Sequence, residues 1–227
     1  MTDRFTPRMD ILPVAQQSLW PQLRAAVPSG LVLYGGTAIA LRLGHRQSVD
    51  FDFFCADALD QVRIRHSFPF LSQSTVLQDR PNALTVQVSD GDIAHQSVKV
   101  SFFGMIEFGR VGEPQLTDDG VLLVASLDDL MATKLKVLLQ RSEAKDYRDI
   151  AAMLDSGVSL SRGLASAREM FRPTFQPSES LRALSFFGDG DLHTLGDGEK
   201  RTLVKAAREV RELPEVKLVD SRLAPSA

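Results

Sequence analysis

The spacing of apolar residues changes along this chain, and each change marks a structural segment. Between Asp10 and Val27, the residues Ile11, Leu12, Val14, Ala15, Leu19, Trp20 and Leu23 fall at helical intervals and predict one amphipathic helix ending at the turn Pro28-Ser29-Gly30. A short apolar run, Leu31-Val32-Leu33-Tyr34, breaks at Gly35-Gly36, after which Thr37 is placed to cap a helix through Ala38-Ile39-Ala40-Leu41. From Ser48 to Phe54 acid and aromatic alternate as Asp50-Phe51-Asp52-Phe53. A strand with that period sends both carboxylates to one face and both phenylalanines to the other. Residues 83–88 and 98–103 alternate in the same way and predict a hairpin, with Ser89-Asp90-Gly91-Asp92 supplying turn chemistry.

From Ser126 the period becomes helical. Ser126 and Asp129 form a capping-box pattern, and Leu127, Leu130, Met131, Leu135 and Leu138 make an apolar stripe. A second helix is predicted over residues 145–154, and beyond Gly157 the chain reads as helices punctuated by Pro173, Pro177 and Gly188-Asp189-Gly190-Asp191. After Pro214 a polar tail is expected to fray. The fold class is therefore α+β, with a strand-bearing core over 1–125 and a helical domain over 126–227.

Composition narrows the function classes. A chain of 227 residues with 44% hydrophobic content can bury a sizeable core. Its opening residues are charged and are followed by no apolar run long enough for a signal peptide or a membrane span, so a cytoplasmic protein without membrane contact is expected. A lone cysteine, Cys55, excludes an internal disulfide and a zinc site built on thiolates. The net charge of -3 argues against a surface that coats nucleic acid, so an RNA substrate would be gripped locally. Arg42, His45 and Arg46 are candidates for that local charge, although the end of a surface helix accounts for them equally well. A calcium loop at Asp189, Asp191 and His193 is rejected because Thr194 stands where the loop requires glycine.

The candidate chemistry lies in Gly35-Gly36-Thr37 and Asp50-Phe51-Asp52. Two acids at alternate strand positions repel unless a cation lies between them, and magnesium takes one or two carboxylates plus the phosphates of its substrate. Paired glycines let a backbone approach a triphosphate closely. Taken alone, the glycines read as a tight turn and the acids as a solvated strand face; the ordered set of strand, Gly-Gly-Thr, helix and Asp-x-Asp strand is more specific.

The stretches Leu33-Tyr34-Gly35-Gly36-Thr37-Ala38-Ile39-Ala40-Leu41 and Gly44-His45-Arg46-Gln47-Ser48-Val49-Asp50-Phe51-Asp52-Phe53-Phe54 resemble the AbiEii/AbiGii toxin family of nucleotidyltransferases. The resemblance continues through Leu127 to Leu135 and from Arg141 to Ile150. It implies a polymerase-β-like nucleotidyltransferase fold, a mixed sheet flanked by helices, with magnesium on Asp50 and Asp52 and a nucleoside triphosphate bound at Gly35, Gly36, Thr37, Arg46 and Lys134. It further implies a toxin of a toxin–antitoxin or phage-defence pair, with a cognate antitoxin and an RNA acceptor, transfer RNA in some members.

Helical geometry singles out Lys134 independently. Advancing by about 100° per residue from Leu127 places Lys134 among Leu130, Met131 and Leu138, while Lys136 projects oppositely. A lysine on an apolar face needs an anion, or it snorkels to water. The same construction puts Asp146 beside Ile150 and Met153, Asp149 at the margin and Arg148 toward solvent. Asp146 and Asp149 thus join Asp50, Asp52 and Lys134 as candidate catalytic residues, one acid orienting the lysine and another accepting a proton; for Asp149 a surface acid paired with Lys145 and Arg148 is an equal reading. One departure from the family pattern is Ser101, which stands where polymerase-β-type enzymes place a third carboxylate. Its presence leaves open a nucleotide-binding module that has lost transfer; separately, the acidic balance of the chain leaves open an enzyme with a protein acceptor.

Overall fold

The computed structural model describes residues 3–89 and 97–225. The chain divides into a sheet unit, Met1–Gly109, Glu113–Ala125 and Asp220–Ala227, and a helical unit, Arg110–Gly112 and Ser126–Val219.

The sheet unit is built on β1 (Arg4–Phe5), α1 (Val14–Leu19), β2 (Val32–Tyr34), α2 (Gly35–Leu43), β3 (Asp50–Phe54), α3 (Gln61–Ser67), β4 (Thr75–Arg80), β5 (Ala83–Ser89), β6 (Ser97–Phe103), β7 (Gln115–Thr117) and β8 (Leu123–Val124). The strands form one mixed sheet in the order β1-β7-β8-β2-β3-β6-β5-β4. At its centre β3 runs antiparallel to β2 and parallel to β6. The expected hairpin is β5 with β6, paired antiparallel from Ala83↔Phe103 to Ser89↔Ser97. Its proposed turn at Asp90-Gly91-Asp92 lies outside the described residues.

The alternation along β3 holds. Phe51 and Phe53 are wholly buried, whereas Asp50, Asp52 and Phe54 are half-buried. Phe53 stacks on Phe102 of β6 with ring centroids 5.5 Å apart, and Phe102 meets Phe68 at 5.0 Å. Each buried phenylalanine contributes roughly 1.5–3 kcal/mol, so a one-residue slip would exchange these rings for carboxylates and is strongly disfavoured. The core thereby fixes which way Asp50 and Asp52 point.

The helix expected over residues 10–27 is shorter than its apolar pattern. Only Val14–Leu19 is α-helical, and Trp20–Ala26 continues as a 3-10 helix. Pro21 has no N–H to extend the α-ladder, and the tighter winding still buries Trp20, Leu23 and Ala26. The tail makes specific contacts despite its polarity: the Val219 amide donates to the Arg110 carbonyl, and Leu223 is buried. Cys55 is a buried thiol, pushed up to about 11 by burial.

The helical unit holds α4 (Leu127–Val137), α5 (Ala144–Asp155), α6 (Leu160–Met170), α7 (Pro177–Ala183) and α8 (Asp197–Glu209). Gly163 lets α6 approach α4 closely, since a Cβ there would overlap the Met131 side chain. Asp191, read from sequence as part of a loop, accepts the Ala144 amide at 2.6 Å and so caps α5 from a distance. No helix among the described residues is long and apolar enough to cross a membrane.

The capping box at α4 forms by half. Ser126 Oγ accepts the Asp129 amide at 3.1 Å, but the Asp129 carboxylate turns instead to the Val111 amide at 2.8 Å and to the Ser126 hydroxyl at 2.7 Å. Burial pushes the Asp129 carboxyl up to about 6 despite hydrogen bonds from Val111, Ser126 and Gly112. A carboxyl raised on folding favours its protonated form in the native state, so its contribution to stability is full below about pH 4 and is lost as pH rises through 6. Asp129→Asn mimics the protonated acid, and urea unfolding should show the slope between pH 4.5 and 7 flattened by about 2 kcal/mol. An undiminished slope in the variant would assign that pH dependence elsewhere.

Candidate active site

The sheet unit gathers one cluster of candidate groups. The first turn of α2 is Gly35-Gly36-Thr37 itself, preceded by Tyr34, whose side chain provides no cap. Thr37 therefore lies inside the helix and is not its cap. Its hydroxyl donates to the Asp50 carbonyl and lies 2.8 Å from Ser48 Oγ, whose own hydroxyl can donate to it. A helix start lacking a side-chain cap presents backbone N–H groups and the positive end of the helix dipole, the usual setting for a phosphate.

Both glycines are required by their surroundings. Gly35 has φ +77°, and a Cβ there would sit 2.9 Å from Asp52 Oδ2. At Gly36 a Cβ would overlap the Arg46 guanidinium and come within 3.2 Å of Ser48 Oγ. The Gly-Gly step is thus the floor on which Asp52, Arg46 and Ser48 converge. Gly35→Ala should cost about 1–2 kcal/mol in urea unfolding, the usual penalty for a left-handed non-glycine residue, and should displace the Asp52 carboxylate. A variant as stable as the parent would contradict that packing.

On β3, Asp50 lies opposite Lys99 of β6, and Asp52 opposite Ser101. Lys99 Nζ stands 3.1 Å from Asp50 Oδ2, with both side chains partly exposed. Ser101 is buried, so no carboxylate joins the pair from β6. Among the described residues no group of three potential metal ligands occurs. The donor set that remains, two half-exposed carboxylates on one strand face beside an uncapped helix start, fits magnesium, whose other positions are commonly filled by water and phosphate oxygens.

Of the two arginines between the glycine turn and the acids, Arg42 does structural work. Its guanidinium donates to the Val124 and Ala125 carbonyls and to Gln115, and lies 4.4 Å from the Phe5 ring centre. Arg46 packs on Gly36 and donates to the Gln47 carbonyl at 2.8 Å.

A second cluster lies wholly within the helical unit. Lys134 on α4 is buried, and its ammonium reaches Asp146 Oδ1 at 2.6 Å and Asp149 Oδ2 at 2.7 Å, both on α5 and both fully buried. Asp149 is therefore interior rather than marginal. The cations proposed to hold it at the surface go elsewhere: Lys145 pairs with Glu143 and Arg148 with Glu199. Arg141 donates through Nε to Asp146 Oδ2 at 2.8 Å and through Nη2 to Oδ1 at 3.2 Å. Burial pushes the Asp146 carboxyl up, but Arg141 and Lys134 outweigh it and hold the group below the usual carboxylate value. A carboxylate so engaged is a poor proton acceptor, which favours orienting Lys134 over general-base work.

Residues 23–216 match the family model described as nucleotidyl transferase AbiEii toxin, type IV toxin–antitoxin system. The chain belongs to the AbiEii nucleotidyltransferase toxin family. An uncharacterized protein of Aquifex aeolicus (strain VF5) is 31% identical over 120 residues, covering 52% of this chain and 54% of that relative. The chain thus spans about half the length of the curated relative it matches. Among solved structures it is similar to MenT4, a nucleotidyltransferase toxin from Mycobacterium tuberculosis H37Rv, at 16% identity and a TM-score of 0.48, over 83% of this chain and 86% of that one. The AbiEii match covers Gly35, Gly36, Thr37, Asp50, Asp52, Lys134, Asp146 and Asp149 alike. No periodic signal in the sequence ties Lys99, Ser48 and Arg141 to these groups: strand register brings Lys99 to Asp50, while Ser48 and Arg141 reach Gly36 and Asp146 from loops.

Proposed function

We propose that this protein transfers a nucleotidyl group from a nucleoside triphosphate to an acceptor hydroxyl, and acts as the toxin of a toxin–antitoxin pair with a cognate antitoxin. The observation that supports it best is the convergence of Asp52, Arg46 and Ser48 on Gly35-Gly36 at the uncapped start of α2. Backbone amides of Gly36, Thr37 and Ala38 would bind the triphosphate, with Arg46 beside them as a planar cation suited to phosphate. Asp50 and Asp52 would hold magnesium, which when bound neutralises charge on the triphosphate and steadies the departing pyrophosphate. The acceptor oxygen forms a new bond to the α-phosphorus, the bond from that phosphorus to the bridging oxygen breaks, and pyrophosphate leaves. The hydroxyl proton passes to solvent or to a phosphate oxygen, since Asp146 is already committed to Lys134 and Arg141. In the helical unit Lys134 uses two of its three ammonium donors on Asp146 and Asp149.

RNA, with transfer RNA foremost, is the acceptor that the family resemblance supports. Ser101, buried opposite Asp52 where a carboxylate would stand, favours as a second reading a module that binds nucleotide without transferring it. Induced expression separates the two. Growth arrest with nucleotides added to RNA 3′ ends, absent for Asp52→Asn, supports transfer to RNA. Nucleotide binding with unmodified RNA and unmodified protein would replace the enzyme by the binding module.

A further inference from the structure

We propose that Lys99 is a built-in cation of the carboxylate pair, taking in charge the place of a second divalent ion, so that the site binds one metal ion rather than two. The inference rests on the assignment of Asp50 and Asp52 as metal ligands and adds a residue to it. The parallel register of β3 and β6 sets Lys99 opposite Asp50 and Ser101 opposite Asp52. The period of two puts all four on the face away from Phe51, Phe53, Val100 and Phe102, which are wholly buried. Across that face Lys99 Nζ lies 3.1 Å from Asp50 Oδ2.

The charge balance is what gives the pairing its meaning. Three carboxylates holding two divalent ions carry one net positive charge to meet a triphosphate. Here the third carboxylate is replaced by buried, neutral Ser101, and two divalent ions on two carboxylates would leave a surplus of two positive charges. Asp50, Asp52 and Lys99 with a single divalent ion restore the balance of the three-carboxylate site. An ammonium suits the part because it carries charge and three donors on a flexible stem, and can move between Asp50 and a phosphate oxygen without a coordination shell of its own.

As an ordinary cross-strand ion pair, Lys99 would add a few tenths of a kcal/mol to stability and leave metal binding untouched. As a resident cation it competes with the ion for Asp50. Removing it should tighten metal binding while weakening transfer.

The test is titration of the full chain with Mn2+, following free Mn2+ by electron paramagnetic resonance, with circular dichroism to verify folding. The wild type should bind one ion per chain, lost in Asp50→Ala Asp52→Ala. Lys99→Met should bind Mn2+ about three- to tenfold more tightly, as expected on removing a unit charge a few ångströms from the ligand, and Lys99→Arg should stay near the wild type. Lys99→Met Ser101→Asp, which supplies the third carboxylate, should take a second ion. Unchanged Mn2+ affinity in folded Lys99→Met, or two ions in the wild type, would overturn the role of Lys99 alone. Binding that survives in Asp50→Ala Asp52→Ala, or no binding to the wild type, would overturn the metal site on which it rests.

Discussion

Replacing Lys134 with methionine should destabilise the helical unit by about 3–5 kcal/mol, far more than a surface lysine would cost. The reason is what stays behind. Asp146 and Asp149 are fully buried, and Lys134 lies within 2.7 Å of each. With the ammonium gone, two like charges face each other in the interior, and Arg141, whose side chain is 44% exposed, pairs with Asp146 from the rim. Removing one member of a buried ion cluster is costly because the partners remain charged, whereas neutralising the whole cluster is tolerated. The triple variant Lys134→Met Asp146→Asn Asp149→Asn should therefore recover most of the loss in urea unfolding. A single Lys134→Met as stable as the parent would show that the cluster does not bear on folding. Nucleotide affinity of Lys134 variants then speaks to a phosphate role only where the protein is still folded.

Neutralising the strand carboxylates should have the opposite profile. Asp50→Asn and Asp52→Asn should each lower transfer by about a thousandfold or more, equivalent to about 4 kcal/mol of barrier. Stability should move by less than about 1 kcal/mol, because the side chains are half-exposed, the Lys99 pair is a surface one, and removing a charge relieves repulsion between the two acids. Paired measurements of transfer and unfolding check this. A variant that unfolds readily would place Asp50 or Asp52 among the structural acids with Asp146 and Asp149.

The contrast shows which parts of the molecule are legible in sequence. β3 is readable because one face is buried and the other is not, so Asp50-Phe51-Asp52-Phe53 carries its geometry in its alternation. β4 is not, since Thr75–Arg80 is exposed along nearly its whole length and has no buried face to leave a pattern. β1, β7 and β8, of two or three residues, are too short to show any period. Lys134 and Asp146 could be found by projecting a single helix, because the apolar stripe of each helix includes them. Asp149 was misplaced by the same projection: on an isolated helix it lies at the edge of the stripe, and only a lysine arriving from α4 brings it inside. Arg42 reads in sequence as a cation near the glycines, but its partners, the Val124 and Ala125 carbonyls, come from strand β8 and the residue after it, more than eighty residues away. The Lys99 pairing is hidden for a related reason, since parallel register between distant strands is a property of the sheet and not of either segment.

The most direct test of the central claim is incubation of the purified chain with magnesium, each α-labelled nucleoside triphosphate and total cellular RNA, beside the Asp50→Ala Asp52→Ala protein. Label should enter RNA with the wild type alone, in a metal-dependent reaction, and the labelled nucleotide will identify the base preferred. Equal labelling by both proteins would contradict the assignment of Asp50 and Asp52, and nucleotide binding with no label in RNA or protein would contradict transfer itself.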